Sequence, residues 1–349
     1  MTNSRPVDSL VGLTLTDGYE VVKRINPPAQ ATGGFFSEQY LVEKNNKEYF
    51  MKAFDFSSAL HTPDPIQEIN NMTKAFIAER DILEKCKKRK LSKVSLPVAS
   101  GSTQVPGFAG LDAIVYYIVF EKAKTDIRSQ LSNLNNIDMA WCFRSLHNAA
   151  TGIQQLHISN VAHQDLKPSN ILIFESKKEK ISDLGRASDL VIDSANDELC
   201  MTGDRGYAPF EQFYKIKYSN DFTKRFSIDM YHLGSLFFSY FLQMSATQSI
   251  TLNLKKANNK IPLGKDFTHD LPLIINAFQD SMIALETELS KYLTKTLAET
   301  ISIINELCHP DPDKRGNPKT FIRSYGQFDL QRYISILNKL AKYAEMDCL

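Results

Sequence analysis

Between Val161 and Phe174 the chain reads "VAHQDLKPSNILIF". His163, Asp165, Lys167 and Asn170 fall within eight positions and lead straight into an apolar run. A carboxylate, an ammonium and a carboxamide are rarely set this close to a β-strand unless they face a common ligand. Thirteen residues beyond Asn170, across "ILIFESKKEKIS", stands Asp183 in "SDLGRA". A short hairpin is predicted over 170–182, which holds Asn170 and Asp183 on adjoining turns. Their oxygens suit Mg²⁺, a hard cation that prefers carboxylates, waters and substrate phosphates. Asp165 can orient or deprotonate an attacking hydroxyl, and Lys167 can neutralise a phosphoryl group in transit. Positioning and electrostatic cover of this kind are what phosphoryl transfer asks of a protein.

The rest of the chain is long enough to build a frame for that loop. Its 349 residues allow one large domain or two medium ones. A net charge of +1 gives no overall field that would draw nucleic acid or a membrane surface, so neither is expected as a partner. The longest apolar run, Ala113 to Phe120, is too short to span a bilayer. The opening "MTNSRPVDSL" lacks the basic-then-apolar layout of a secretion signal. Five scattered cysteines with no C-x-x-C fit reduced thiols in a cytoplasmic protein better than disulfides or a zinc site.

The first third reads as strands, rich in β-branched and aromatic residues, over 19–25, 37–44, 48–56 and 113–122. One long helix interrupts them. Asp64 can cap it, Pro65 suits its first turn, and Gln67 stands where a capping box wants Glu or Gln. The basic run "KCKKRK" at 85–90 reads as the solvated end of that helix, favoured by its dipole. From residue 138 the pattern turns helical, over 141–159, 226–244, around 271–307 and 330–346. The expected fold class is therefore α+β in two lobes. An N-terminal extension (1–18) precedes a small antiparallel β lobe with one long helix (19–122). A larger, mainly helical lobe (123–325) and a C-terminal helix packed on it (326–349) follow.

With these motifs placed, the chain resembles the protein kinase superfamily in its eukaryotic-like serine/threonine form, over roughly residues 19–325. "HQDLKPSN" looks like the catalytic loop, which implies Asp165 as catalytic base, Lys167 on the transferring group and Asn170 as a metal ligand. "DLG" at 183–185 looks like the DFG motif, which makes Asp183 the second Mg²⁺ ligand. The resemblance places Lys52 of "FMK" on the ATP phosphates and Glu79 of "FIAERDIL" as its partner. "IVFEKA" looks like the hinge, with Phe120 as gatekeeper, Glu121 and Ala123 offering backbone bonds to adenine, and Asp126 on the ribose. "GYAPFEQ" and "DPDKRGNP" imply a buried pair of Glu211 and Arg315, and "DMYHLG" implies that Asp229 braces the catalytic loop. ATP, Mg²⁺ and a protein substrate are the implied ligands.

Three departures qualify the resemblance. The glycine-rich loop is worn: in "ATGGFFSEQY" only Gly34 and Phe36 keep their places, with Gly33 beside them and Thr32, Ser37 and Gln39 at the other positions. Gln164 replaces the arginine that in many kinases awaits an activation-loop phosphate, so constitutive activity or control by a regulatory protein partner is expected. Asp204 stands where the family carries threonine, and its charge is expected to raise the pKa of Asp165. Ser188, Ser194 and Thr202 are loop hydroxyls open to autophosphorylation on this reading. The alternatives are a pseudokinase scaffold that binds nucleotide weakly and a small-molecule kinase. The latter is opposed by Lys167, "GYAPFEQ" and Arg315.

Overall fold

A computed structural model describes residues 5–26, 37–133, 136–176, 178–216, 222–258, 264, 266–320 and 326–346. Strands β1 (Glu20–Ile25), β2 (Ser37–Lys44) and β3 (Lys47–Phe54) precede helix α1 (Pro65–Lys88), and β4 (Pro97–Gln104) and β5 (Ile114–Glu121) follow it. The five strands form one antiparallel sheet in the order β1-β2-β3-β5-β4. Asn45 and Asn46 make the β2–β3 turn at φ 54° and 58°, a left-handed pair that asparagine tolerates. Strand β4, "PVASGSTQ", lies outside the expected set because its small and polar residues carry no strand signature. Gly101 belongs there for a steric reason, since a Cβ would lie 2.8 Å from the Tyr117 hydroxyl.

One sheet face is covered by the segment before β1. Val7, Leu10 and Leu15 are buried against Val21, Tyr40, Val42 and Val119, and the Tyr40 hydroxyl donates to the Val7 carbonyl at 2.5 Å. The other face meets α1 through Phe54, Phe76, Ile82 and Leu83. Asp64 accepts from Gln67 N at 3.1 Å and starts the helix with Pro65 at its first position. The capping box does not close: Gln67 Nε2 donates to Asn71 Oδ1 one turn on instead.

The second lobe begins with β6 (Thr125–Asp126), α2 (Ile127–Ser132) and α3 (Met139–Ile158). Short strands β7 (Val161–Ala162), β8 (Ile171–Ile173), β9 (Glu179–Ile181) and β10 (Ser188–Asp189) follow, with β8–β9 as the expected hairpin and β7 paired to β10. Then come α4 (Phe210–Phe213), α5 (Lys224–Leu242), α6 (Ala246–Asn258), α7 (Phe267–Leu289), α8 (Leu297–Cys308) and α9 (Gln331–Glu345). The stretch read as helical around 271–307 is thus two helices broken at 290–296. Helix α5 is buried on every side from Ser227 to Phe241, so it is the axis on which the lobe packs. Among the described residues no helix is long and apolar enough to cross a membrane.

Candidate active site

Lys52 sits in β3 between Gln39 of β2 and Ile118 of β5, so its backbone is held by ladders on both sides. Its ammonium lies 2.8 and 3.1 Å from the two oxygens of Glu79 on α1 and 3.2 Å from Asp183 Oδ1. Burial works against the charged lysine, yet the Asp183 and Glu79 carboxylates outweigh it and hold its pKa above the usual value. Lys52 in turn holds Asp183 down to about 2, with burial opposing it. Glu79 moves up, because its burial exceeds the help from Lys52. Asp183 adopts a left-handed backbone, φ 60°, which turns its side chain out of the hairpin. That side chain remains 40% exposed beside the lysine.

The loop from His163 to Asn170 is fixed from below. Asp229, fully buried on α5, accepts from His163 N at 2.8 Å and Gln164 N at 2.7 Å. It also accepts from His157 Nε2 at 2.9 Å, and the His157 ring stacks on Phe226 at 3.9 Å. Burial pushes Asp229 up, but these hydrogen bonds and nearby imidazoles leave it below its ordinary value. Gln164 is itself left-handed at φ 62°. The bend sends Asp165 toward Lys167, whose Nζ lies 3.0 Å from Asp165 Oδ2 and 3.4 Å from Asp204 Oδ2. Asn170 Nδ2 donates to the Asp165 carbonyl at 2.8 Å, and its amide oxygen accepts from Ser169 Oγ at 3.4 Å. Ser182, one residue before Asp183, donates its backbone N–H to the Asn170 carbonyl at 2.8 Å. The open end of the hairpin therefore carries both Asn170 and Asp183. This hard-oxygen donor set, with Asp183 ionised at any ordinary pH, fits Mg²⁺.

Asp165 does lie above its usual pKa, but for a different reason from the one expected. Burial raises it first, Lys167 opposes, and Asp183 is the like charge that adds to the rise. The Asp204 backbone N–H works against that rise: it donates to Asp165 Oδ1 at 2.8 Å and stabilises the carboxylate. The Asp204 side chain instead accepts from Gly206 N at 2.8 Å and faces Lys167. Gly203 makes this approach possible, since a Cβ there would sit 2.5 Å from the Gln164 carbonyl oxygen. Sequence reasoning missed Gly203; its only signal was a glycine directly before the unusual aspartate.

The remaining expected residues lie around this centre. Glu121 ends β5 with its carboxylate 3.3 Å from Lys180, and Ala123 lies half-buried just beyond it. Asp126 spends both oxygens on Ser129, accepting from its N–H and its hydroxyl at 2.9 Å, and so caps α2. Gly33 and Gly34, with Thr32 and Phe36, lie outside the described residues. Arg315 and Glu211 form the buried pair, Nη1 to Oε1 at 2.5 Å and Nη2 to Oε2 at 2.8 Å. The three candidate loop hydroxyls, on Ser188, Ser194 and Thr202, are all buried.

A two-lobed frame that brings a strand lysine, a helix glutamate and a DLG aspartate into contact above a braced HxDxKxxN loop defines a protein kinase domain. Comparison with known proteins agrees: the protein kinase domain family model matches residues 34–325, and the chain belongs to that family. It is 28% identical over 165 residues to mitogen-activated protein kinase 5 of Arabidopsis thaliana, covering 47% of this chain and 38% of the relative. It is 29% identical over 159 residues to extracellular signal-regulated kinase 1 of Dictyostelium discoideum, covering 46% and 26%. It is 26% identical over 220 residues to a probable cell division protein kinase of Encephalitozoon cuniculi, covering 62% and 60%. In each case the match spans less than two thirds of the relative's own length.

Proposed function

We propose that this chain is an active kinase that transfers the γ-phosphoryl group of ATP to serine or threonine hydroxyls of proteins. The observation that carries the reading is the contact of Lys52 with both Glu79 and Asp183. A nucleotide-binding scaffold has no need of a lysine shared between a helix carboxylate and a metal-type aspartate. In this reading Lys52 grips the phosphates, Glu79 orients it, and Gly33, Gly34, Glu121, Ala123 and Asp126 surround the nucleotide. Asp183 and Asn170 would hold Mg²⁺, which when bound neutralises phosphate charge and fixes the geometry of the transferring group. Asp165, raised in pKa yet paired with Lys167, accepts or orients the proton of the attacking hydroxyl. Lys167 covers the charge that develops on the phosphoryl oxygens.

Gln164 is fully enclosed, and its amide donates to the Arg186 carbonyl at 3.1 Å and to Ser188 Oγ at 2.7 Å. A neutral side chain committed in this way supports activity independent of loop phosphorylation, or control by a protein partner. The free thiols of Cys86, Cys142, Cys200 and Cys308 are in keeping with a cytoplasmic location. Incubation with Mg²⁺ and ATP, read by intact and peptide mass beside an Asp165→Asn variant, tests the activity. Phosphate on serine or threonine in the wild type alone supports the proposal. If neither protein modifies itself or a generic substrate, the choice falls between a pseudokinase scaffold and a strictly partner-activated enzyme, and a nucleotide-binding titration comes next.

A further inference from the structure

A line of polar contacts, buried at Gln164, Ser188 and Arg225 and 26% exposed at Asp197, runs outside the Lys52–Asp183 centre. Ser188 Oγ, which receives the Gln164 amide, also accepts from Arg225 Nη1 at 2.5 Å. The same Nη1 lies 2.6 Å from Asp197 Oδ1, and Nη2 donates to the Asp197 carbonyl at 3.2 Å. The other Asp197 oxygen accepts from Ser194 N at 2.9 Å, and Ser194 Oγ accepts from Asn196 N at 3.2 Å. Ser188 and Arg225 are 0% and 7% exposed. Four separate stretches are thereby joined: the catalytic loop, β10, the turn at Ala195–Glu198 and the first turn of α5.

The line also reaches α1. Asp189, next to Ser188, pairs with Lys85, and the Ala195–Glu198 turn packs directly on the helix that carries Glu79. Lys85, like Arg89 with its hydrogen bond to the Ile158 carbonyl, is thus a member of the basic run that is not merely solvated. Asn196 Nδ2 donates to the Gly185 carbonyl at 2.9 Å, two residues beyond Asp183. A buried guanidinium needs an anion, because its desolvation is not repaid otherwise. A phosphate placed opposite an arginine can order a segment in this way. Here an aspartate of the segment itself supplies the charge.

We propose that Asp197 is a positioning residue. Its carboxylate meets Arg225 in the role a loop phosphate would fill and clamps the 186–200 segment. Through Asn196 and Gly185 it steadies Asp183, and through Asp189 and Lys85 it steadies α1 with Glu79. The inference rests on the kinase reading and extends it: an unmodified chain already holds its transfer-competent arrangement. It also explains why Ser188 and Ser194 are buried as structural hydroxyls.

The test uses the full chain, freed of phosphate by a phosphatase that is then removed. Initial rates and hydrogen exchange across 186–200 are measured for wild type, D197A, D197N, D197E, R225A, the D197A/R225A double variant and the exposed-site control D193A. The phosphate-free wild type should be active. D197A and D197N should lower kcat about tenfold while KM for ATP changes less than about twofold, as loss of a coupled, part-buried pair allows. Exchange across 186–200 should rise in the same variants by more than any loss of global stability accounts for. D197E should restore most of the rate, the double variant should be no worse than R225A, and D193A should match wild type. D197N with wild-type kcat and a protected segment overturns the inference, as does a wild type that loses its activity on dephosphorylation. If no protein shows transfer, before or after dephosphorylation, yet D197A and D197N expose the segment, the clamp stands and the kinase reading is what fails.

Discussion

Replacing Arg315 with methionine isolates what the buried ion pair of the larger lobe contributes. Arg315 is 0% exposed and donates to Glu211 through both terminal nitrogens. Its Nε donates to the His309 carbonyl at 2.7 Å, Nη2 donates to the Pro310 carbonyl at 3.1 Å, and the guanidinium lies 4.9 Å from the Tyr231 ring centroid. Methionine keeps much of the stem volume and returns none of these donors. Glu211, also 0% exposed, becomes a buried carboxylate without its cation. Breaking one side of a buried pair costs about 3–5 kcal/mol. With an unfolding entropy of roughly 2.1 cal/mol/K per residue, a loss of about 4 kcal/mol lowers the Tm of a chain this long by about 5 °C. The double variant Glu211→Leu/Arg315→Met removes both charges together and should recover most of that loss, since the stranded charge is the larger cost. Urea unfolding followed by circular dichroism and by the fluorescence of Trp141 reads both variants. An Arg315→Met protein within about 1 kcal/mol of wild type, or a double variant costing the full sum of the singles, would refute the reasoning.

Two further outcomes are expected. Burial holds His232 on α5 down at about 3, with Asp229 pulling the other way, so its folded state stays neutral while the unfolded ring protonates below its usual 6.5. Stability should therefore fall by about 1.4 kcal/mol per pH unit below that value, reaching about 2 kcal/mol by pH 5. His232→Leu should flatten this acid limb, and an unchanged slope would assign the loss to another group. Lys52→Met removes the cation that sets the low Asp183 pKa, so that carboxylate should move up toward the ordinary range, and phosphate transfer should drop by at least about 100-fold. NMR titration of the carboxyl carbon and a transfer assay check the two halves, and a rate near wild type would exclude Lys52 from the chemistry.

Much of the frame was legible along the chain because it is written in local chemistry. Asp64 and Pro65 mark the start of α1 through the orphan N–H groups of a first turn. Strands β2, β3 and β5 stand out because their β-branched and aromatic residues suit a pleated, half-buried surface. Asp165, Lys167, Asn170 and Asp183 were found for the same reason: they share one loop and one hairpin, so their spacing carries their geometry.

What escaped depends on partners far away in sequence. Strand β4 has no pattern of its own and exists because β5 offers it a ladder. Gly203 is required by the Gln164 carbonyl, which only the folded loop brings within reach. The effect of Asp204 on Asp165 turned on orientation: its backbone N–H faces the carboxylate while its side-chain charge goes to Lys167. Arg225 looks like an ordinary surface charge until α5 and the loop enclose it and set it against Asp197. The sequence by itself determined the two-lobed class and the residue types at the candidate site, since propensity, capping and motif spacing act over a few residues. Tertiary structure alone decided the charge states, the close approaches and the clamp on the 186–200 segment, because desolvation and Coulomb energy depend on which groups are near in space.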